Sequence, residues 1–146
     1  MKVQLQGMMT SLSPHWSTPK HVYQYLNDQY KFDFDPCPLM ENNFDGLSVE
    51  WGNRNFINPP YGRDIGKWIK KAYEENLNGK LCVLLIPSRT DARWWHDYIM
   101  KAHEIIFVKG RLKFGDAKNS APFPSVIVVY EGRYHGSRCH YTSIKF

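Results

Sequence analysis

Cysteine is scarce in this chain: Cys37, Cys82 and Cys139 are an odd set with no CxxC pair, which argues against both a disulfide framework and a zinc site. The six histidines, His15, His21, His96, His103, His135 and His140, show no HExxH spacing, so they read as solvated or packed side chains and no metal is expected. No apolar stretch approaches the roughly 18 residues needed to cross a bilayer. The N-terminus also lacks the charged start and apolar core of a signal peptide, so the expectation is a soluble, cytoplasmic protein without a membrane partner. Nor is there an internal repeat. What remains is 146 residues, 42% hydrophobic and 15% aromatic, enough for one domain, 1–146, with a substantial core. A net charge of +5 and a pI of about 9.1 are compatible with a polyanionic partner, because Lys and Arg that neutralise phosphates drive nucleic-acid affinity.

The order of elements predicts an α/β fold. Residues 1–13 are polar and without periodicity, and are expected to fray or lie over the surface. Thr18-Pro19 then opens a helix, with Thr18 as N-cap and Pro19 in the first helical position, and Val22, Tyr23, Tyr25 and Leu26 form its apolar face. A short strand at Phe32-Asp33-Phe34-Asp35 stops at Pro36-Cys37-Pro38, and Leu39 to Gly52 reads as loop. Asn55-Phe56-Ile57 is a buried strand. Asp64 to Asn76 is a helix with Ile65, Trp68, Ile69, Ala72 and Tyr73 on one face. The unbroken apolar run Leu81 to Ile86 has the signature of a strand buried on both faces of a parallel sheet. Asp91 to Lys101 predicts a further helix, with the neighbours Trp94 and Trp95 facing apart. Glu104 to Val108 and Ser125 to Tyr130 predict strands joined by a long hairpin loop over Gly110 to Pro124. A last strand is expected around Tyr141 to Phe146.

Asn58-Pro59-Pro60-Tyr61 is the segment most suggestive of chemistry. An asparagine side-chain oxygen and a proline carbonyl are two acceptors on a rigid loop, because proline fixes φ and removes a competing donor. Such a pair can grip a planar NH2 group. A conjugated amino group is a poor nucleophile, and two acceptors pulling on its hydrogens localise the lone pair toward an electrophile. Tyr61 can stack on the ring that carries it. Three candidate loops, Asp35-Pro36-Cys37-Pro38, Asn58-Pro59-Pro60-Tyr61 and Pro87-Ser88-Arg89-Thr90-Asp91, each directly follow a predicted strand. In an open α/β sheet, ligands sit outside the carboxyl ends of the strands, so the three would share one rim.

The Asn58-Pro59-Pro60-Tyr61 segment resembles motif IV of the S-adenosylmethionine-dependent amino-methyltransferases. With Trp16-Ser17-Thr18-Pro19 upstream, and Gly110-Arg111-Leu112-Lys113-Phe114 and Pro122-Phe123-Pro124-Ser125 downstream, the order from about Trp16 to Tyr130 is similar to the phage-type DNA N-6-adenine methyltransferases, a Dam-like family. The resemblance implies a reduced Rossmann-like sheet with helices on both faces, S-adenosylmethionine as cofactor, and double-stranded DNA as the partner. Adenine would be flipped out of the duplex to be methylated. It places Trp16, Thr18 and Pro19 against the cofactor, and Asp35 and Pro36 in the acidic turn that meets the methionine ammonium. Asn58, Pro59, Pro60 and Tyr61 become the amino clamp and base stack, with Phe114 or Phe123 as a second wall. Arg89, Arg93, Arg111, Lys113 and Lys118 become the phosphate contacts. It also points to a phage or prophage product acting in a bacterial cytoplasm.

The chain departs from that pattern in one respect. The glycine-rich cofactor loop is missing, and Cys37-Pro38-Leu39-Met40 stands in its place, which leaves Glu41, Asn43 or Trp51 as candidates to hold the adenosine. Two alternatives stay open. The same clamp fits any planar amino group, including an RNA base or a protein glutamine, and the scaffold would also serve a nucleic-acid-binding module without turnover.

Overall fold

A computed structural model describes residues 16–38, 44–115, 118–132 and 138–146; the segment 1–13, expected to fray, lies outside the described residues. Helix α1 (Lys20–Tyr30) is followed by β1 (Arg54–Ile57), α2 (Ile65–Leu77), β2 (Leu81–Pro87), the short helix α3 (Arg93–Asp97), β3 (Glu104–Val108), β4 (Ser125–Glu131) and β5 (His140–Ile144). The five strands form one sheet in the order β1-β2-β4-β3-β5.

The periodicity of the central strand decides how the layers stack. Successive strand residues point to opposite faces. Cys82, Leu84 and Ile86 accordingly join Ile69 and Ala72 of α2 and Trp95 of α3 in one buried cluster, whereas Leu81, Val83 and Leu85 join Val22, Leu26 and Tyr30 of α1 in another. Helices therefore cover both faces, as expected. Every residue of β2 is buried, and each of its large side chains contributes roughly 2 kcal/mol through removal from water. The sheet is mixed rather than parallel. β1 and β2 run parallel and β3 and β5 run parallel, but β4 lies antiparallel between β2 and β3. The reason is the connection: β3 returns through the loop 109–124 as a hairpin, and a hairpin can only place its second strand antiparallel.

Three further expectations change. The strand predicted at Phe32 to Asp35 reduces to a single bridge, Phe34 to Asn55. The Asp33 carboxylate accepts from the Arg54 N–H at 2.9 Å, a side-chain bond that competes with a ladder, and Pro36 then removes a donor. The helix predicted over 91–101 breaks into α3 and a 3₁₀ turn, Ile99–Lys101. Tyr98 between them has φ −126°, and its carbonyl accepts from the Tyr130 hydroxyl at 2.6 Å and from the Lys101 N–H of the 3₁₀ turn at 3.1 Å, not from an α-helical N–H. The last strand begins at His140, one residue before the expected start, and pairs with β3 along an edge.

Loop 44–53 is pinned onto this frame. Gly46 approaches Pro36 so closely that a Cβ would lie 1.9 Å from its carbonyl oxygen. The Trp51 indole donates to the Gly46 carbonyl at 2.7 Å, and Lys80 donates to the Trp51 carbonyl at 2.8 Å while pairing with Glu75 at 2.8 Å. Any larger residue at 46 would push away the turn that carries Asp35.

Candidate active site

Asn58 follows β1 directly, at the carboxyl end of the sheet, and its side-chain amide is fully oriented by the chain. Its Nδ2 donates to the Trp16 carbonyl and, at 2.9 Å, to Thr18 Oγ1. A backbone carbonyl only accepts, so the nitrogen must face Trp16 and the oxygen must face the other way. That Oδ1 is buried and has no hydrogen-bond partner among the described residues. Leaving a buried acceptor unsatisfied costs roughly 1–3 kcal/mol, so this oxygen has room for one further donor.

Thr18 was expected to cap α1, and it does not. The N-cap position falls on Pro19, with no side-chain cap bond. The Thr18 hydroxyl accepts from Asn58 instead, because the return of the chain past β1 brings an amide donor within its reach.

Asn58, Trp16, Thr18 and Asp35 border a cavity of about 370 Å³, together with Lys20 and Cys37 among others. That volume lies within the range of small-molecule sites. Asp35 is the notable charge there. Burial lifts its carboxyl from the ordinary 3.8 to about 6, against the lowering effect of the Cys37 N–H, which donates to it at 2.8 Å. Burial, and then the Asp35 charge, push the Cys37 thiol up to about 12. A carboxylate whose charge is destabilised by burial gains most from an incoming cation.

The rings predicted as base walls come together, but closed. Tyr61 is 5% exposed and its hydroxyl donates to the Leu85 carbonyl at 2.9 Å; burial holds the phenol well above its ordinary range. Its ring meets Phe123 edge-on at 5.4 Å and Phe114 at 6.3 Å. Trp16 meets the same two rings at 5.2 and 5.7 Å. Tyr61 therefore presents no open stacking face, since four rings at one rim satisfy their edge-to-face preference with each other. Phe114 is buried, while Phe123 is partly exposed.

The other candidates separate. Pro19, Pro36 and Pro59 shape the loops beside Thr18, Asp35 and Asn58, and Pro60 leads into Tyr61. Arg89, Arg111, Lys113 and Lys118 are exposed in the loops after β2 and β3, with Arg111 donating across the hairpin loop to the Ala121 carbonyl at 3.4 Å. Arg93 instead stands on α3, 3.6 Å from Asp97. Trp51 is 3% exposed within the α2-side cluster and does not border the cavity, because its indole is drawn to Gly46. Glu41 and Asn43 lie outside the described residues. Lys20, Tyr23 and Gln24, which also border the cavity, were missed by sequence reading. Their spacing along α1 places them on one stripe, a signal that would have found them once the cavity side was known. Arg63 is exposed just after Tyr61.

No cluster of His, Cys, Asp or Glu that could hold a metal ion occurs among the described residues, and no helix among them is long and apolar enough to cross a membrane.

Comparison with known proteins adds an independent line. The profile of the DNA N-6-adenine-methyltransferase (Dam) family matches residues 8–132. The DNA N-6-adenine-methyltransferase of Haemophilus phage HP1 is 25% identical over 149 aligned positions, covering 88% of this chain and 86% of that protein. The DNA N-6-adenine-methyltransferase of Escherichia phage T1 is 32% identical over 110 positions, 66% of this chain, and the alignment spans only 45% of that longer protein. No solved structure matches.

Proposed function

The chain belongs to the DNA N-6-adenine-methyltransferase (Dam) family, and from that premise we propose that it transfers a methyl group from S-adenosylmethionine to the exocyclic amino nitrogen of adenine in double-stranded DNA. The observation that carries this reading is the Asn58 amide: its donors are held by Trp16 and Thr18, and its oxygen is left as a buried, unpartnered acceptor beside the cavity. An amino group offers the hydrogens that such an oxygen lacks.

The cavity suits the cofactor in its donor set. Asp35 offers a carboxylate for an ammonium group, Lys20 a cation for a carboxylate, and Trp16, Tyr23 and Phe56 apolar surface for a purine. When bound, S-adenosylmethionine supplies a sulfonium methyl, a strong electrophile. Asn58 Oδ1 and a proline carbonyl of the same loop then accept the two amino hydrogens and localise the lone pair. No general base is required beforehand, because the proton leaves once the nitrogen has become cationic. The protein's contribution is orientation and electrostatics.

Adenine must leave the duplex to reach this clamp, so the ring cluster has to part, with the partly exposed Phe123 the easiest ring to displace and Tyr61 and Phe114 forming the walls behind it. Arg89, Arg111, Lys113, Lys118 and Arg63 lie in the loops of the same rim, where they would neutralise phosphates. The parallel strands β1, β2 and β3, with helices on both faces, support reading the sheet as a reduced Rossmann-like form. The phage relatives support a role in a bacterial host cytoplasm. Transfer of labelled methyl to unmethylated DNA, with mass analysis of the nucleosides, tests the reading. Methyladenine that disappears with Asn58→Ala is the expected result, and label on no DNA offered would refute it.

A further inference from the structure

We infer that Thr18 is a positioning residue for the reaction: through its hydroxyl it holds the Asn58 side chain in the place where the Trp16 carbonyl turns its oxygen, rather than its nitrogen, toward the substrate amino group. This rests on the amino-clamp reading above and adds to it a residue forty positions away in sequence.

An asparagine amide turned by half a rotation about its last bond exchanges oxygen for nitrogen at nearly the same shape. A nitrogen in the clamp would present hydrogens to hydrogens and repel an amino group. The chain must therefore fix which atom faces outward. The Trp16 carbonyl does so, because it can only accept, while the Thr18 hydroxyl anchors the side chain against it. The carbonyl is part of the backbone and would be present with any residue at 16. Thr18 is the component that the side-chain identity supplies.

The competing explanation for Thr18 is helix capping, and the geometry excludes it: α1 takes Pro19 at its N-cap position and has no side-chain cap bond. The Thr18 hydroxyl is aimed at the amide instead. Thr18 and Trp16 also border the cavity, so the segment that walls the cofactor site is the same one that orients the amide.

Thr18→Val keeps the shape and removes the acceptor, and Thr18→Ser keeps the acceptor. In single-turnover transfer at saturating cofactor, the Val variant should be about fivefold slower, the equivalent of roughly 1 kcal/mol for one lost hydrogen bond. Saturating cofactor keeps any change in its affinity out of the measured rate, and the Ser variant should recover most of the lost rate. If the Val variant loses cofactor affinity and keeps its rate, Thr18 is only a cavity wall and the inference fails.

A second measurement does not depend on turnover. In the ¹⁵N-labelled full chain, the Asn58 side-chain amide is identified by its loss in Asn58→Ala. One of its two hydrogens should exchange faster with solvent in the Val variant and be protected again in the Ser variant. Unchanged protection in the Val variant would overturn the inference whether or not any DNA is methylated. A wild-type chain that methylates nothing but shows the exchange pattern would instead refute the proposed function and leave the orienting bond in place.

Discussion

Replacing Asn58 with aspartate probes the amide more sharply than truncating it, because the acceptor oxygen is kept and only the NH2 is exchanged. In the native chain that NH2 makes two bonds, to the Trp16 carbonyl and to Thr18 Oγ1. Each is worth roughly 1 kcal/mol net. A carboxylate oxygen in the same place loses the bond to the Trp16 carbonyl and faces its lone pairs, while the Thr18 hydroxyl can turn and donate to it, so the cost of holding the side chain in the clamp position rises by about 1–2 kcal/mol. That corresponds to a transfer rate roughly five- to thirtyfold lower. The sign of the pH dependence follows. A protonated carboxyl has an O–H that can donate to Trp16 as the amide did, so the variant should recover toward wild type as pH falls, starting above the ordinary carboxylate range because half-burial favours the neutral form. The assay is single-turnover transfer of labelled methyl at saturating cofactor, from about pH 8 to about pH 5. Rates are expressed as the ratio of variant to wild type, so that the titration of Asp35 cancels. If Asn58→Asp transfers within about twofold of the wild-type rate at the alkaline end, the bond to the Trp16 carbonyl does not orient the side chain, and the orienting argument is wrong.

Other perturbations separate structural from functional roles. Burial raises Asp35 to about 6 from 3.8, so the stability linked to its neutral form is fully present below about pH 4 and lost as pH rises through 6. Asp35→Asn should then stabilise the fold near pH 8 by on the order of 2 kcal/mol, with no gain in acid, as read by urea unfolding; the same variant should bind S-adenosylmethionine more weakly. For Glu75, burial alone would raise the carboxyl, but Lys80 at 2.8 Å and Lys71 at 3.0 Å outweigh it and hold it low. Glu75→Gln should cost roughly 2 kcal/mol at neutral pH, a difference that shrinks as pH falls through the native carboxyl's titration and is checked by denaturant midpoints across pH. Phe114→Ala should cost about 3 kcal/mol of stability, since that ring is 3% exposed. Phe123→Ala should cost less and, because the ring that must be displaced is gone, instead increase the fluorescence rise of an adenine analogue on flipping; equal effects of the two variants on stability and flipping would mean that neither ring has a separate role.

The elements that were legible in sequence are those whose cause is local. Leu81 to Ile86 reads as a strand because no polar residue interrupts it, and α2 because Ile65, Trp68, Ile69 and Ala72 recur on one face. The rim was legible for a related reason: Asn58, Asp35 and Arg89 each follow a strand or bridge, and prolines end those segments. What was misread depended on partners distant in sequence. Asp33 gives its side chain to Arg54 and so reduces a strand to a bridge. Tyr130 takes the Tyr98 carbonyl and divides a helix. Neither partner can be named before the chain has folded.

The same division holds at the site. The sequence determined that Asn58 would stand on a proline-stiffened loop after a buried strand, with an aromatic residue three positions on, because proline geometry and apolar burial act over a few residues. Only the tertiary structure decided which atom of that asparagine is available. The acceptors that claim its nitrogen's hydrogens lie 42 and 40 residues upstream, and Thr18 there gives up a helix cap to receive one of them. It was also the folded chain that closed Tyr61, Trp16, Phe114 and Phe123 on one another, since rings far apart in sequence pack edge-to-face only when loops from β1 and β3 are brought to the same rim.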